Sequence, residues 1–240
     1  LTRSPDLEIQ QPTTIDLSKL SEPYIAVNGD VLTGTLPEGV NVKISITDGA
    51  TVTLRNVTIE GNDDKSYDWA GITCEGDATI VIEGTNSIQG FYHRYPGISV
   101  PIGKTLTIGG SGSLEAKSNQ GIHIRTDING NETTSRIVSG SGIGGSINDE
   151  DCGNIVIESG TITATGSYRS AGIGSSDQQS CGTITITGGT VTATGGDYAA
   201  GIGAGYEFSA RCGNITITGG TVTAKGGQEA AGIGCGLNSH

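Results

Sequence analysis

Residues 212–234 read CGNITITGGTVTAKGGQEAAGIG, 181–203 read CGTITITGGTVTATGGDYAAGIG, and 152–174 read CGNIVIESGTITATGSYRSAGIG. The Cys-Gly pairs that open these copies stand at 152, 181 and 212, a period of 29 and then 31 residues. Each copy holds three short segments. Ile-x-Ile falls at 155/157, 184/186 and 215/217; Thr-Ile/Val-Thr-Ala at 161–164, 190–193 and 221–224; Ala-Gly-Ile-Gly at 171–174, 200–203 and 231–234. The first two alternate with period two, so each is a strand with one face in and one out. The third is too short to show a period and is placed as a strand by its position. Gly-Gly or Ser-Gly marks the bends between them.

Three short strands per ~30 residues, stacked on the same strands of the next copy, define one coil of a parallel β-helix. The fold class is all-β: a right-handed, single-stranded parallel β-helix with identical side chains piled into ladders, its hand following the crossover preference of parallel strands. Earlier coils are diverged but legible. Gly71-Ile72 and Gly97-Ile98 match the Gly-Ile corner; Ile80/Ile82 and Leu106/Ile108 match Ile-x-Ile; Ile88 and Leu114/Ala116 match the second segment. Residues 24–61 supply about two less regular coils, giving roughly eight in all. The stretch 121–140 reads as an irregular coil or a loop insertion. The expected organisation is an N-terminal cap over 1–23 and a β-helix over 24–240, with irregular coils in 24–150 and regular repeats in 152–240. The last copy stops at GIGCGLNSH, where earlier copies run on into a Cys-Gly strand, so the repeat array is expected to be incomplete there.

Composition agrees with thin layers rather than a bulky core. The 240 residues include 41 Gly, one Trp, seven Tyr, two Phe and no Met. The formal charge of −12 argues against nucleic acid as a partner, because phosphates would be repelled. No run of apolar residues is long enough for a transmembrane helix. Cys152, Cys181 and Cys212 share one ladder. Three in a row cannot all pair, and in-register neighbours on parallel strands hold a poor disulfide geometry, so a ladder of buried thiols is expected. Cys74 and Cys235 lie in other registers.

Function is sought where the repeat varies. NDDKSYDWA precedes Gly71 and GFYHRYP precedes Gly97, in the slots that later coils fill with GSYRSA and GGDYAA. These loops occupy equivalent places on successive coils and form a ridge along one edge. Half of the aromatics fall there: Tyr67, Trp69, Phe91, Tyr92 and Tyr95, beside Asp63, Asp64, Asp68, His93 and Arg94. Aromatic faces stack on sugar rings, and Arg and carboxylates hydrogen-bond hydroxyls, so Tyr67, Trp69, Phe91, Tyr92, His93, Arg94 and Tyr95 are the candidate glycan-binding residues. The competing reading makes the aromatics a lid over a Gly-rich flank. Asp63, Asp64 and Asp68, with Asn62, gather hard oxygen ligands suited to calcium, and Asn148, Asp149, Glu150 and Asp151 form a second such run. The outward threonines, such as 161/163/165 and 190/192/194, form flat ranks that suit an ice or crystalline-polysaccharide surface, or simply a solvated sheet.

The runs GISVPIGKTLTIGGSGSLEA, CGTITITGGTVTATGG and AAGIG resemble the β-helical "carbohydrate-binding domain-containing" proteins secreted or displayed by anaerobic gut and cellulolytic bacteria. The resemblance covers roughly residues 40–240. It implies a surface or secreted location, and calcium-assisted binding of acidic plant polysaccharide by at least some members. The expected function is therefore a non-catalytic extracellular glycan-binding or adhesion module whose partner is a polysaccharide or cell-surface glycan. A pectate-lyase-like lyase or hydrolase, and a structural stalk or ice-binding tube, stand as alternatives.

Overall fold

The computed structural model describes residues 13–120, 123–126, 132–135, 140–146 and 151–239. The chain is an all-β parallel β-helix. Its third face is an eight-stranded parallel sheet: Tyr24–Ala26, Ile44–Ile46, Ile72–Cys74, Ile98–Ser99, Ile143–Gly144, Ile173–Gly174, Ile202–Gly203 and Ile233–Gly234. These strands number the coils one to eight. The first and second faces form one continuous sheet. They are joined by the long strand Ala50–Ile59, whose first part pairs with Ala78–Glu83 and whose end pairs with Thr85–Gln89.

The alternation seen in the sequence sets the interior. Val52, Ile80, Ile108, Ile157, Ile186 and Ile217 stack in register on the first face. Ile72, Ile98, Ile143, Ile173, Ile202 and Ile233 do so on the third. Every member but Ile217 and Ile233 is fully buried. Full burial of one such side chain stabilises by roughly 1.5–3 kcal/mol, and β-branched residues suit the pleat. Ile217 and Ile233, on the final rung, are 41% and 46% exposed.

One alignment of the diverged coils shifts by two residues. Ala78 shares the rung of Leu106, and Ile80 that of Ile108. A slip of two keeps every side chain on its own face, so the period alone could not reveal it. On the second face Ile88 stacks on Ala116, and the rung of Leu114 is held by Asn86. Asn86 is buried and fully engaged. It accepts from the Val57 N–H at 2.9 Å, and its Nδ2 donates to Glu83 O at 3.1 Å and Ser113 O at 3.0 Å. That one side chain links three coils.

Short polar side chains cap the turn into the first face. Asn28 Oδ1 accepts from the Thr51 N–H, Asp48 from Asp77, Asp77 from Thr105, and Asn154 from Thr183. At the N-terminal end Asp30 is fully buried and accepts from the Thr13 and Val27 N–H groups and the Tyr24 hydroxyl. Leu17, in the 3₁₀ turn Leu17–Lys19, is fully buried against the core there. Residues 1–12 of the expected cap lie outside the described residues.

Between Ser113–Lys117 and Ile143–Gly144 the chain makes an excursion that contains the antiparallel pair His123–Thr126 and Glu132–Ser135. The described part of 121–140 is therefore an insertion, and the register resumes beyond it with Lys117 opposite Thr165. No helix among the described residues is long and apolar enough to cross a membrane.

Cys152, Cys181 and Cys212 sit on one line of bridges at the corner that precedes the first face. All five cysteines are free thiols; Cys74, Cys152 and Cys181 are buried, and Cys235 is exposed.

Candidate functional site

The loops between the second and third faces do form a ridge, and the contacts within it decide which aromatics face out. Gly61 lies directly against the Gly90–Phe91 backbone, where an added Cβ would meet Gly90 O. With no side chain at Gly61, Gly71, Gly90 or Gly97 to close the corner, larger residues close it. Phe91 is fully buried, His93 2% exposed and Tyr95 8% exposed. These three of the seven candidate contact residues lie within the protein, in the lid role. Tyr67, Trp69, Tyr92 and Arg94 keep part of their surface in solvent. Trp69 lies 5.8 Å from Phe91 and 5.4 Å from Tyr67, ring centre to ring centre, so the outer aromatics rest on the inner one.

The acidic residues of this loop turn to separate tasks. Asp63 Oδ1 accepts from the His93 N–H at 2.9 Å and lies 2.7 Å from His93 Nδ1, tying the two loops together. Asp64 Oδ1 accepts from the Ser66 N–H, and that bond holds its carboxyl below the ordinary range. Asp68 is exposed. No three His, Cys, Asp or Glu side chains among the described residues converge to hold a metal ion. In the second acidic run 148–150 lies outside the described residues, and Asp151 Oδ1 accepts from the Ser180 N–H.

Beside the ridge the third face is open. A cleft of about 290 Å³ is lined by Thr73, Cys74, Glu75, Ser99, Val100, Pro101, Ile102 and Gly144–Ser146. A second hollow of about 110 Å³ shares Thr73 and Ser99 with it and adds Lys43, Asp68, Trp69, Ala70 and Tyr95. Together they make a groove across coils two to five. Its floor is the outward side chains of Thr73 and Ser99, one wall carries Trp69 and Asp68, and the other carries Glu75 and the half-exposed Ile102. Lys43 Nζ stands 3.4 Å from Glu75. Trp69 Nε1 is buried without a hydrogen-bond partner. The ridge reading missed Thr73 and Ser99, although a signal existed: Gly-Ile-Thr and Gly-Ile-Ser stand where later copies have Gly-Ile-Gly.

In coils six and seven the same face is covered. Residues 170–177 and 199–205 are buried, and Tyr168, Arg169, Tyr198 and Tyr206 of the flanking loops cluster together. The Arg169 guanidinium lies 4.2 Å from the Tyr206 ring centre and 5.1 Å from that of Tyr168. It also reaches the buried carboxylate of Asp177 at 3.6 Å. Burial pushes the Asp177 carboxyl up to about 6; the positive charge of Arg169 opposes that rise, and Glu207 adds to it. Arg169, Tyr198 and Glu229, equivalent in the three copies, all hold positive φ without being glycine. The sequence marks this slot as variable but gives no sign of the Arg169–Asp177 pair.

Residues 155–177, 184–206 and 215–237 each match the family model described as Beta helix repeat. The coils over these residues are β-helix repeats. The three matches cover the regular coils, and each runs from the first face through the ridge loop to the next corner. No curated protein and no solved structure matches the chain.

Proposed function

We propose that this β-helix repeat protein is a non-catalytic glycan-binding module of the cell exterior, with its site in the groove over the third face. The observation that carries the reading is Trp69, partly exposed on the wall of a groove floored by the hydroxyls of Thr73 and Ser99. An indole packs against the C–H face of a sugar, while hydroxyls, Asp68 and Lys43 can exchange hydrogen bonds with its O–H groups. The net charge of −12 repels a polyanion, so an acidic polysaccharide would bind here through a cation shared between its carboxylates and Asp68. A calcium ion in that role bridges two partners and needs no closed protein cage.

The test is an array of immobilised neutral and acidic glycans, probed with calcium and again with chelator. Binding by the wild-type chain is expected on at least one glycan. It should fall at least tenfold in Trp69→Ala and about tenfold in the gentler pair Thr73→Val and Ser99→Ala, which leave the lid intact. Silence across both conditions would remove the reading, and unchanged affinity in all three variants would move the site elsewhere. Release of unsaturated uronides from pectate would place the protein among lyases instead.

A further inference from the structure

The cysteine ladder is not uniform. Cys152 is buried, and its thiol donates to the carbonyls of Gly153 and Gly174 at 3.5 and 3.6 Å. Cys181 also has a carbonyl within reach, Gly203 O at 3.7 Å, but its closest partner is sulfur: Cys212 Sγ stands 2.8 Å away. Cys212 is the one rung of the ladder with part of its surface in solvent. Both cysteines occupy isolated bridges at a corner rather than the middle of a strand. Neighbouring parallel strands lie about 4.8 Å apart, inside the Cα separation that disulfides tolerate.

We propose that Cys181 and Cys212 form an inter-coil disulfide when the protein meets a small-molecule disulfide oxidant, while Cys152 stays a thiol. The order of events follows from exposure. The Cys212 thiolate attacks one sulfur of oxidised glutathione, whose S–S bond breaks and releases one glutathione thiolate. Cys181, having given its proton to solvent, then attacks the Cys212 sulfur of the mixed disulfide. The second glutathione leaves as a thiolate, and both thiolates take up protons. Two protein thiols are oxidised and one glutathione disulfide is reduced to two thiols.

Contact with Cys181, and then burial, raises the Cys212 thiol well above its ordinary range; contact with Cys152 raises Cys181, while Cys212 pulls it the other way. The thiolate is therefore scarce and exchange is slow near neutrality. This cross-link is independent of the glycan reading.

Cleavage after Arg and Lys separates all five cysteines: Cys181 falls in 170–211, Cys212 in 212–225 and Cys152 in 137–169. The full chain is held for hours with oxidised glutathione at pH 8.5, alkylated, digested and weighed. The expected product joins 170–211 to 212–225 with the loss of two hydrogens, while 137–169 is alkylated in full. Cys152→Ser should leave that product unchanged, and Cys212→Ser should abolish it. The oxidised chain should melt on the order of 5 °C above the reduced one, because the bridge closes a long loop. A dominant link between Cys152 and Cys181, or glutathione trapped only on Cys235, would overturn the proposal. So would full alkylation of both Cys181 and Cys212.

Discussion

The third face is open over coils three and four and closed over coils six and seven, although one backbone template builds both. In the open part the residue after the inward Ile is Thr73 or Ser99, and the flanking loops stand aside to leave a groove. In the closed part that residue is Gly174 or Gly203, and the loops on either side meet over it. The Tyr206 N–H donates to Arg169 O, and the Leu237 N–H donates to Tyr198 O. The contrast shows that the rungs supply only a scaffold. A side chain at one floor position, and the residues in two loops, determine whether a stretch of face is a surface or an interior.

Exchanging the floor residues breaks the comparison most sharply. Gly174 has φ +133°, and a Cβ there would stand 2.0 Å from Gly203 O. Gly174→Ser should therefore destabilise by ~3 kcal/mol or more. Equilibrium urea unfolding measures this, and a loss under ~1 kcal/mol would mean that the closed face can open.

Acidity should act on the closed part through its buried carboxyl. Asp177 takes up its proton near pH 6 in the fold, against 3.8 for the ordinary group. The folded chain thus binds the proton first as pH falls. The stability contributed by this group appears as pH drops through 6 toward 4 and is lost again as pH rises. Between pH 7 and pH 4 this amounts to roughly 2.4 kcal/mol, the unfolded group being itself partly protonated at pH 4. Unfolding of wild type and Asp177→Asn at both pH values isolates this contribution, and parallel pH profiles would refute it.

Arg169→Ala should cost about 1–2 kcal/mol, because it removes a partly exposed cation from between two rings and strands the Asp177 carboxylate. It should also raise the pH at which Asp177 titrates, since the Arg169 charge is what opposes the rise; NMR titration of the carboxyl reads this directly. Ser99→Gly in the open part is the smallest change, about 0.5–1 kcal/mol, from backbone entropy alone. Glycan affinity, rather than stability, is where that variant should register.

The tube was legible because its determinants are local and repeated. Ile at alternate positions and Gly at the bends specify strand, face and corner at every pass. The groove was not, because it is a space enclosed by residues from four coils. Phe91 and Trp69 carry the same signal in sequence, and only the packing of one loop on the next sends the first inward and leaves the second at the surface. Asp63 and His93 lie one coil apart, so their pairing was within reach of a reader who stacks the ridge loops. The approach of Arg169 to Asp177 depends on two loops folding across a two-residue strand, and no spacing announces that.

The excursion that carries the antiparallel pair His123–Thr126 and Glu132–Ser135 has a practical reading as a socket. Leu106 still pairs with Ile155 and Ala116 with Ala164 across it, so the tube neither widens nor loses step where the extra chain leaves and returns. Loop closure grows only logarithmically with length, about 0.6 kcal/mol for each doubling. A foreign peptide spliced between Thr126 and Glu132 should therefore ride outside the coil that carries it, held at a fixed height on the tube.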